Sequence, residues 1–269
     1  MNPKFKFKNE ICKLIILSNQ IDSNLVDNFN NFIHNQEKPD NFYFDSFKDV
    51  LEFEGINKSI EKDAFSGLKS LKKLDLRYGR DAETLDNDIF KDLINLEELF
   101  IESLDVSTIK QNAFKNLKKL NTLYLSRNII EQINLKGLSS LKHFYLIGHR
   151  NKLEYNSNFF KNCPYLTVID LEDSINFQLP DDIFMELKCL KYLNIRNGKL
   201  SVKGSKILTD FNFLKRLKKL ELLNLSLDEV LLEAFGQISN VEVLTDIYFA
   251  LSDEVEDSME ELNVRSFFG

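Results

Sequence analysis

Cysteine is scarce: Cys12, Cys163 and Cys189 are the only three in 269 residues. Odd in number and widely spaced, they make neither a disulfide framework nor a CxxC-type zinc pattern. No apolar stretch approaches the roughly 18 residues that a membrane span needs, so membrane insertion is not expected. The short run Ile11-Cys12-Lys13-Leu14-Ile15-Ile16-Leu17 follows Lys4, Lys6 and Lys8 as a leader peptide would. Lys13 interrupts it and no small-residue cleavage site follows, so it reads as structure and the expected location is cytoplasmic.

Positive charge is short as well. Lys and Arg number 35 against 42 Asp and Glu, a formal net charge of −7. Six of the acids, Asp253, Glu254, Glu256, Asp257, Glu260 and Glu261, share one short run near the C-terminus, leaving the body close to neutral. Nucleic-acid binding needs a basic stripe that releases counterions, so no nucleic-acid partner is expected. The sequence also lacks a Gly-rich phosphate loop, GxSxG and HExxH. Neither His143 nor His149 stands beside a cysteine and a carboxylate in relay order. No catalytic residue, metal or cofactor is expected.

What the chain does have is periodicity. The pattern L-x-x-L-x-L recurs as Leu71-Leu74-Leu76, Leu96-Leu99-Ile101, Leu120-Leu123-Leu125, Leu141-Phe144-Leu146, Leu166-Ile169-Leu171, Leu190-Leu193-Ile195 and Leu220-Leu223-Leu225. The starts are 25, 24, 21, 25, 24 and 30 residues apart, a period that marks a repeat architecture. Ile11-Leu14-Ile16 opens the chain as a further copy, a degraded copy surrounds Leu51 and Phe53, and a weaker one spans 241–244. A second marker runs in phase, an aromatic residue followed three positions later by an apolar one just before each strand motif. It reads Phe65/Leu68, Phe90/Leu93, Phe114/Leu117, Phe160/Cys163, Phe184/Leu187 and Phe235/Ile238, with Leu135/Leu138 and Leu214/Leu217 as aliphatic versions.

Alternating residues of a strand face opposite ways, so the leucines of L-x-L point inward and the residues between them outward. No unit can bury such a face alone, and stability has to come from stacking. Over roughly residues 11–247 the two signals resemble the leucine-rich-repeat family. The pattern is most similar to the family's "typical" class of receptor ectodomains, although cysteine-rich caps are lacking. The resemblance implies an α/β solenoid, a horseshoe with a parallel concave sheet and an irregular, partly helical convex side, whose concave face binds other proteins. In the family, an Asn at the ninth repeat position bonds the backbone of adjacent turns. Here Asn19 and Asn128 fill that position, while Gly79, Leu104, His149, Ser174, Gly198 and Asp228 replace it elsewhere. Part of the ladder therefore passes to other groups.

The expected organisation is an irregular N-terminal cap with one early repeat over 1–47, the repeat array over 48–247, and a cap with an acidic tail over 248–269. Residues 35–41 read as a polar loop insertion, Phe42, Tyr43, Phe44 and Phe47 as a cover for the first strands, and 201–206 as a bulge.

The outward face follows from the motif. Its central column is Ile15, Glu52, Asp75, Phe100, Tyr124, Tyr145, Asp170, Asn194 and Asn224. Lys73, Glu98, Thr122, His143, Val168, Tyr192 and Leu222 precede it, and Arg77, Glu102, Ser126, Ile147, Glu172, Arg196 and Ser226 follow it. At a strand spacing of about 4.8 Å, Phe100, Tyr124 and Tyr145 would form a stripe roughly 10 Å long. Aromatic rings amid polar neighbours are the chemistry of binding hot spots, although cross-strand packing alone also favours rings there. The candidate partner-binding residues are Asp75, Arg77, Phe100, Glu102, Tyr124, His143, Tyr145, Asp170, Glu172, Tyr192 and Arg196.

The leading expectation is a non-catalytic protein-binding module; an effector that intercepts a host protein is the alternative within binding. An enzyme would need Asp75, Glu102, Asp170 and Glu172 to converge, and their separation along the repeats argues against one site. Cys163 reads as a small buried residue. The pairs Lys72-Lys73, Lys118-Lys119 and Lys218-Lys219 read as a solvated edge.

Overall fold

A computed structural model of the chain describes residues 4–8, 13–17, 50–54, 60–61, 63–149, 153–174, 179–180, 182–184, 186–196, 217–221, 242–244 and 264–265. The chain divides into two compact units, Met1–Leu141 and Lys142–Gly269. The insertion at 35–41, the aromatic cluster at 42–47, the segment 201–206 and the acidic run lie outside the described residues.

The first unit contains strands β1 (Lys4–Lys8), β2 (Lys13–Leu17), β3 (Val50–Glu54), β4 (Lys73–Arg77), β5 (Thr84–Leu85), β6 (Glu98–Glu102), β7 (Thr108–Ile109) and β8 (Thr122–Tyr124). β1 pairs antiparallel with β2 and gives that strand an outer neighbour, so the lysine-rich start of the chain is a hairpin arm. β2, β3, β4, β6 and β8 then pair in parallel, with Leu14, Leu51, Leu74, Leu99 and Leu123 in register. Burial enforces this register at Leu74, Leu99 and Leu123: a slip of one residue would turn them outward. Leu74, Leu76, Leu99, Ile101, Leu123 and Leu125 are fully buried. Each such side chain contributes about 1.5–3 kcal/mol relative to exposure.

The second unit repeats the arrangement with β9 (His143–Tyr145), β10 (Val168–Asp170), β11 (Tyr192–Asn194), β12 (Lys219–Glu221), β13 (Glu242–Leu244) and β14 (Val264–Arg265), all parallel. Phe144, Ile169, Leu193 and Leu220 are in register. This register corrects the frame expected for the seventh clear repeat. The segment Leu217-Lys-Lys-Leu220-Glu-Leu222-Leu223-Asn-Leu225 contains two overlapping L-x-x-L-x-L frames. Pairing of Leu220 with Leu193, and burial of Leu217, select Leu217-Leu220-Leu222 over Leu220-Leu223-Leu225. Glu221 accordingly takes the central position expected for Asn224. In the sequence, Phe211 and Leu214 then fall in phase with the phenylalanine marker.

That marker is a core spine. In the first unit Phe65, Phe90 and Phe114 stack at centroid distances of 5.6 and 6.2 Å. In the second, Phe160 stacks on Phe184 at 5.9 Å and meets Phe144 edge-on at 5.7 Å. The described residues do not confirm the expected partly helical return side: among them there is no helix, and hence none long and apolar enough to cross a membrane. The return arms are single turns closed by bonds such as Ala64 N to Glu61 O, Lys91 N to Asp88 O and Ala113 N to Lys110 O, each 2.9–3.0 Å. A small parallel ladder precedes them, with Thr84 opposite Thr108 and a bridge from Thr108 to Gln132. Each described arm stops at that single turn, a helical nucleus that is not propagated.

Where each strand ends, the chain turns through the left-handed region. Tyr78, Ser103, Arg127, Gly148 and Asp173, each at the eighth repeat position, have φ of 54–65°. Non-glycine residues bear about 1–2 kcal/mol of strain there. The turn aims amides at the next repeat: Tyr78 N bonds Glu102 O, Ser103 N bonds Ser126 O, Gly148 N bonds Glu172 O and Asp173 N bonds Arg196 O. At the neighbouring ninth position, Asn128 accepts from Leu104 N and Val106 N at 3.1 and 3.2 Å. Its amide donates to the carbonyls of Ile101, Leu125 and Ser126 at 2.8–3.2 Å. Ser174 substitutes for asparagine in the second unit by donating its hydroxyl to Leu146 O.

Gly137 marks a backbone approach that tolerates no side chain. At φ 106°, a Cβ there would lie 2.6 Å from Phe114 O and 2.8 Å from Lys115 Cα. Gly67 has φ 82° but open space around it. Gly137→Ala is expected to cost roughly 2–4 kcal/mol and Gly67→Ala only about 1 kcal/mol, read as urea midpoints. Equal losses would contradict this packing.

Candidate functional site

The residues between the buried leucines build a polar and aromatic face on the strands of each unit. In the first, Asp75, Phe100 and Tyr124 are in register on β4, β6 and β8; Lys73, Glu98 and Thr122 precede them, and Arg77 pairs with Glu102 on the other side. The columns written from the sequence are therefore those of the sheet. Phe100 and Tyr124 stack with centroids 5.8 Å apart, and both rings are half-buried. The Lys73 ammonium sits 4.4 Å from the Phe100 centroid and the Arg77 guanidinium carbon 5.9 Å away. Favourable cation–ring attraction follows from the negative potential over an aromatic face.

Charges on this face satisfy one another. Lys73 Nζ lies 3.3 Å from Glu98, and Arg127 lies 3.7 Å from Glu102. Arg77 donates from Nε and Nη2 to the two oxygens of Asp75, a forked pair within one strand. Asp75 is only 1% exposed, so this pair differs in kind from the outer ones. Its hydrogen bond to Arg77 is the main cause that raises the guanidinium pKa, against a smaller lowering from burial. Exposed ion pairs contribute about 0.2–1 kcal/mol, whereas stripping the partner from a buried charge costs about 3–5 kcal/mol.

The second unit places His143 and Tyr145 in register with Val168 and Asp170, and these with Tyr192 and Asn194. Asp170 and Asn194 are buried. Asp170 accepts from Glu172 N, and Asn194 from Arg196 N, both at 3.1 Å. The Asn194 amide donates to Glu172 at 3.2 Å, and Arg196 is ion-paired with the same carboxylate.

The structure thus brings Phe100 and Tyr124 into contact, pairs Arg77 with Asp75 and Arg196 with Glu172, and leaves Tyr145, His143 and Tyr192 half-buried in the second unit. Asp75 and Asp170 are not surface contacts: both are buried and committed to groups two residues along their own strands. Treating every outward strand position as exposed overlooks this. For Asp75 the available signal was D-x-R, because residues two apart on a strand share a face; Asp170, followed two residues on by Glu172, has no such arginine. Arg127, just past a strand end, was absent from the expected set and is a partner of Glu102.

Cys163 is a core residue, and burial pushes its thiol pKa up to about 12. Both Cys163 and Cys189 are free thiols. Among the described residues no group of three or more His, Cys, Asp or Glu is placed to hold a metal ion.

The BspA type leucine rich repeat region, in six copies, matches residues 38–167 and 153–252. The rat leucine-rich repeat-containing G-protein coupled receptor 5 is 33% identical over 110 residues, covering 40% of this chain and 12% of the receptor. Human epiphycan is 31% identical over 134 residues, 42% of this chain and 41% of epiphycan. The matched stretch therefore spans less than half of either relative. Among solved structures, a chain of the octameric complex of Latrophilin 3, Unc5D and FLRT2 aligns with a TM-score of 0.61 at 22% identity, covering 78% of this chain and 66% of that one. At that identity the likeness is one of fold.

Arg77→Ala is expected to lower the unfolding free energy by about 3–5 kcal/mol, because it leaves the Asp75 carboxylate buried and unpaired. Adding Asp75→Val should return most of the loss in urea denaturation. A double variant as unstable as the single one would disprove the buried pair.

Proposed function

Since the chain belongs to the BspA-type leucine-rich-repeat family, whose repeats generally serve as protein-interaction modules and are typically non-enzymatic, we propose that it is a non-catalytic module that holds a protein partner on its strand face. The observation that carries this reading is the stacked Phe100–Tyr124 pair, half-exposed on the sheet and framed by polar residues. Aromatic rings bury much area at small entropic cost, and the Tyr124 hydroxyl adds orientation. Arg77 and Glu102 frame the pair in the first unit; His143, Tyr145, Tyr192, Glu172 and Arg196 are the corresponding contacts in the second. The structural neighbour was solved within a multiprotein complex, which favours a protein as the partner class.

Affinity capture from cell extract tests this directly, comparing the full chain with its Phe100→Ala/Tyr124→Ala variant after circular dichroism has shown both to be folded. Removing two anchors at about 2 kcal/mol each should reduce recovery of specific proteins at least tenfold. Undiminished recovery on the folded variant would overturn the assignment of the face.

A further inference from the structure

The proposed binding face in the first unit carries many charges, yet each described one is balanced by an opposite charge within the face. Arg77 cannot turn to an acidic ligand without abandoning Asp75, which is sealed beneath it. Lys73 is held twice, by Glu98 at 3.3 Å and by the Phe100 ring at 4.4 Å. Glu102, itself largely covered, lies 3.7 Å from Arg127, whose exposed cation it balances. Glu52, in register with Asp75, is buried too. Among the described residues of this face, Lys73, Arg77 and Arg127 are balanced by Asp75, Glu98 and Glu102, and the two half-exposed stacked rings stand between them. The second unit follows the same rule on its own strands, where Glu172 is shared by Arg196 and Asn194.

Resting on the protein-binding reading above, we infer that the partner of the first-unit face is an uncharged protein segment with apolar or aromatic anchors, and that its binding is insensitive to salt. Charge complementarity decides this. A face made for an acidic or basic partner presents unpaired charge of the opposite sign, which speeds encounter and makes association fall with ionic strength. A face whose ions are already paired offers no such steering, and attraction comes from apolar area removed from water, which salt does not screen.

The test is selection of a phage-displayed random peptide library on the full chain, with counter-selection on the folded Phe100→Ala/Tyr124→Ala variant. Peptides that depend on the two rings are expected to carry apolar or aromatic anchors and a net charge near zero. Their Kd should change less than about twofold from about 50 to 500 mM NaCl. Enrichment of uniformly acidic or basic peptides, with affinity falling about tenfold or more over that range, would overturn the inference and leave the face as a binding site. Failure to find any peptide that distinguishes the two proteins would count against the face itself, and the inference with it.

Discussion

A repeat of about two dozen residues has one apolar side and nothing of its own to cover it, so every turn depends on the turn beside it. Everything else in the described structure answers that constraint. The in-register leucine column fixes where each strand lies against the next, and the phenylalanine spine does the same for the return arms. Because both columns are buried, neither can slip without exposing its whole set. The other side of the strands is the remainder of that arrangement, so its columns come already aligned.

Stacking creates a polar problem at the strand ends, where the chain must leave the sheet and its amides and carbonyls lose their ladder. The left-handed corner solves part of it: it tolerates strain at Tyr78, Ser103 and Asp173 to give one more bond to the next turn. Asn128 solves another part with five bonds from a single side chain, serving both its own corner and that of the preceding turn. That second role explains how Leu104, an apolar residue at a ladder position, is accommodated: its amide is bonded by Asn128. Serine does a smaller share of the same work at Ser174.

Repetition made most of the fold legible. The strands containing Leu74, Leu99, Leu123, Phe144, Ile169 and Leu193 and the role of Phe65, Phe90 and Phe114 follow from two periodic signals in phase. Legibility failed where local letters permit two answers. The leucine-dense segment after Leu217 supports two frames, and only pairing with β11 chooses between them. The described return arms close as single turns where a partly helical side was expected. On the strand face, position alone located Phe100 and Tyr124 correctly. It misjudged Asp75 and Asp170, because outward direction does not mean exposure when an arginine or a backbone amide two residues along closes over the carboxylate. The exposed strand face is therefore narrower at Asp75 and Asp170 than the sequence suggests.

If neighbouring turns supply each other's stability, damage to one must spread. Leu123→Ala removes a fully buried side chain from the last strand of the first unit, at an expected cost of about 3–5 kcal/mol. Amide hydrogen exchange read by mass spectrometry should then show faster exchange in β8, a smaller acceleration in β6, and one diminishing further at β4. Acceleration confined to β8, with β6 protected as in the unaltered chain, would contradict stacking as the source of stability.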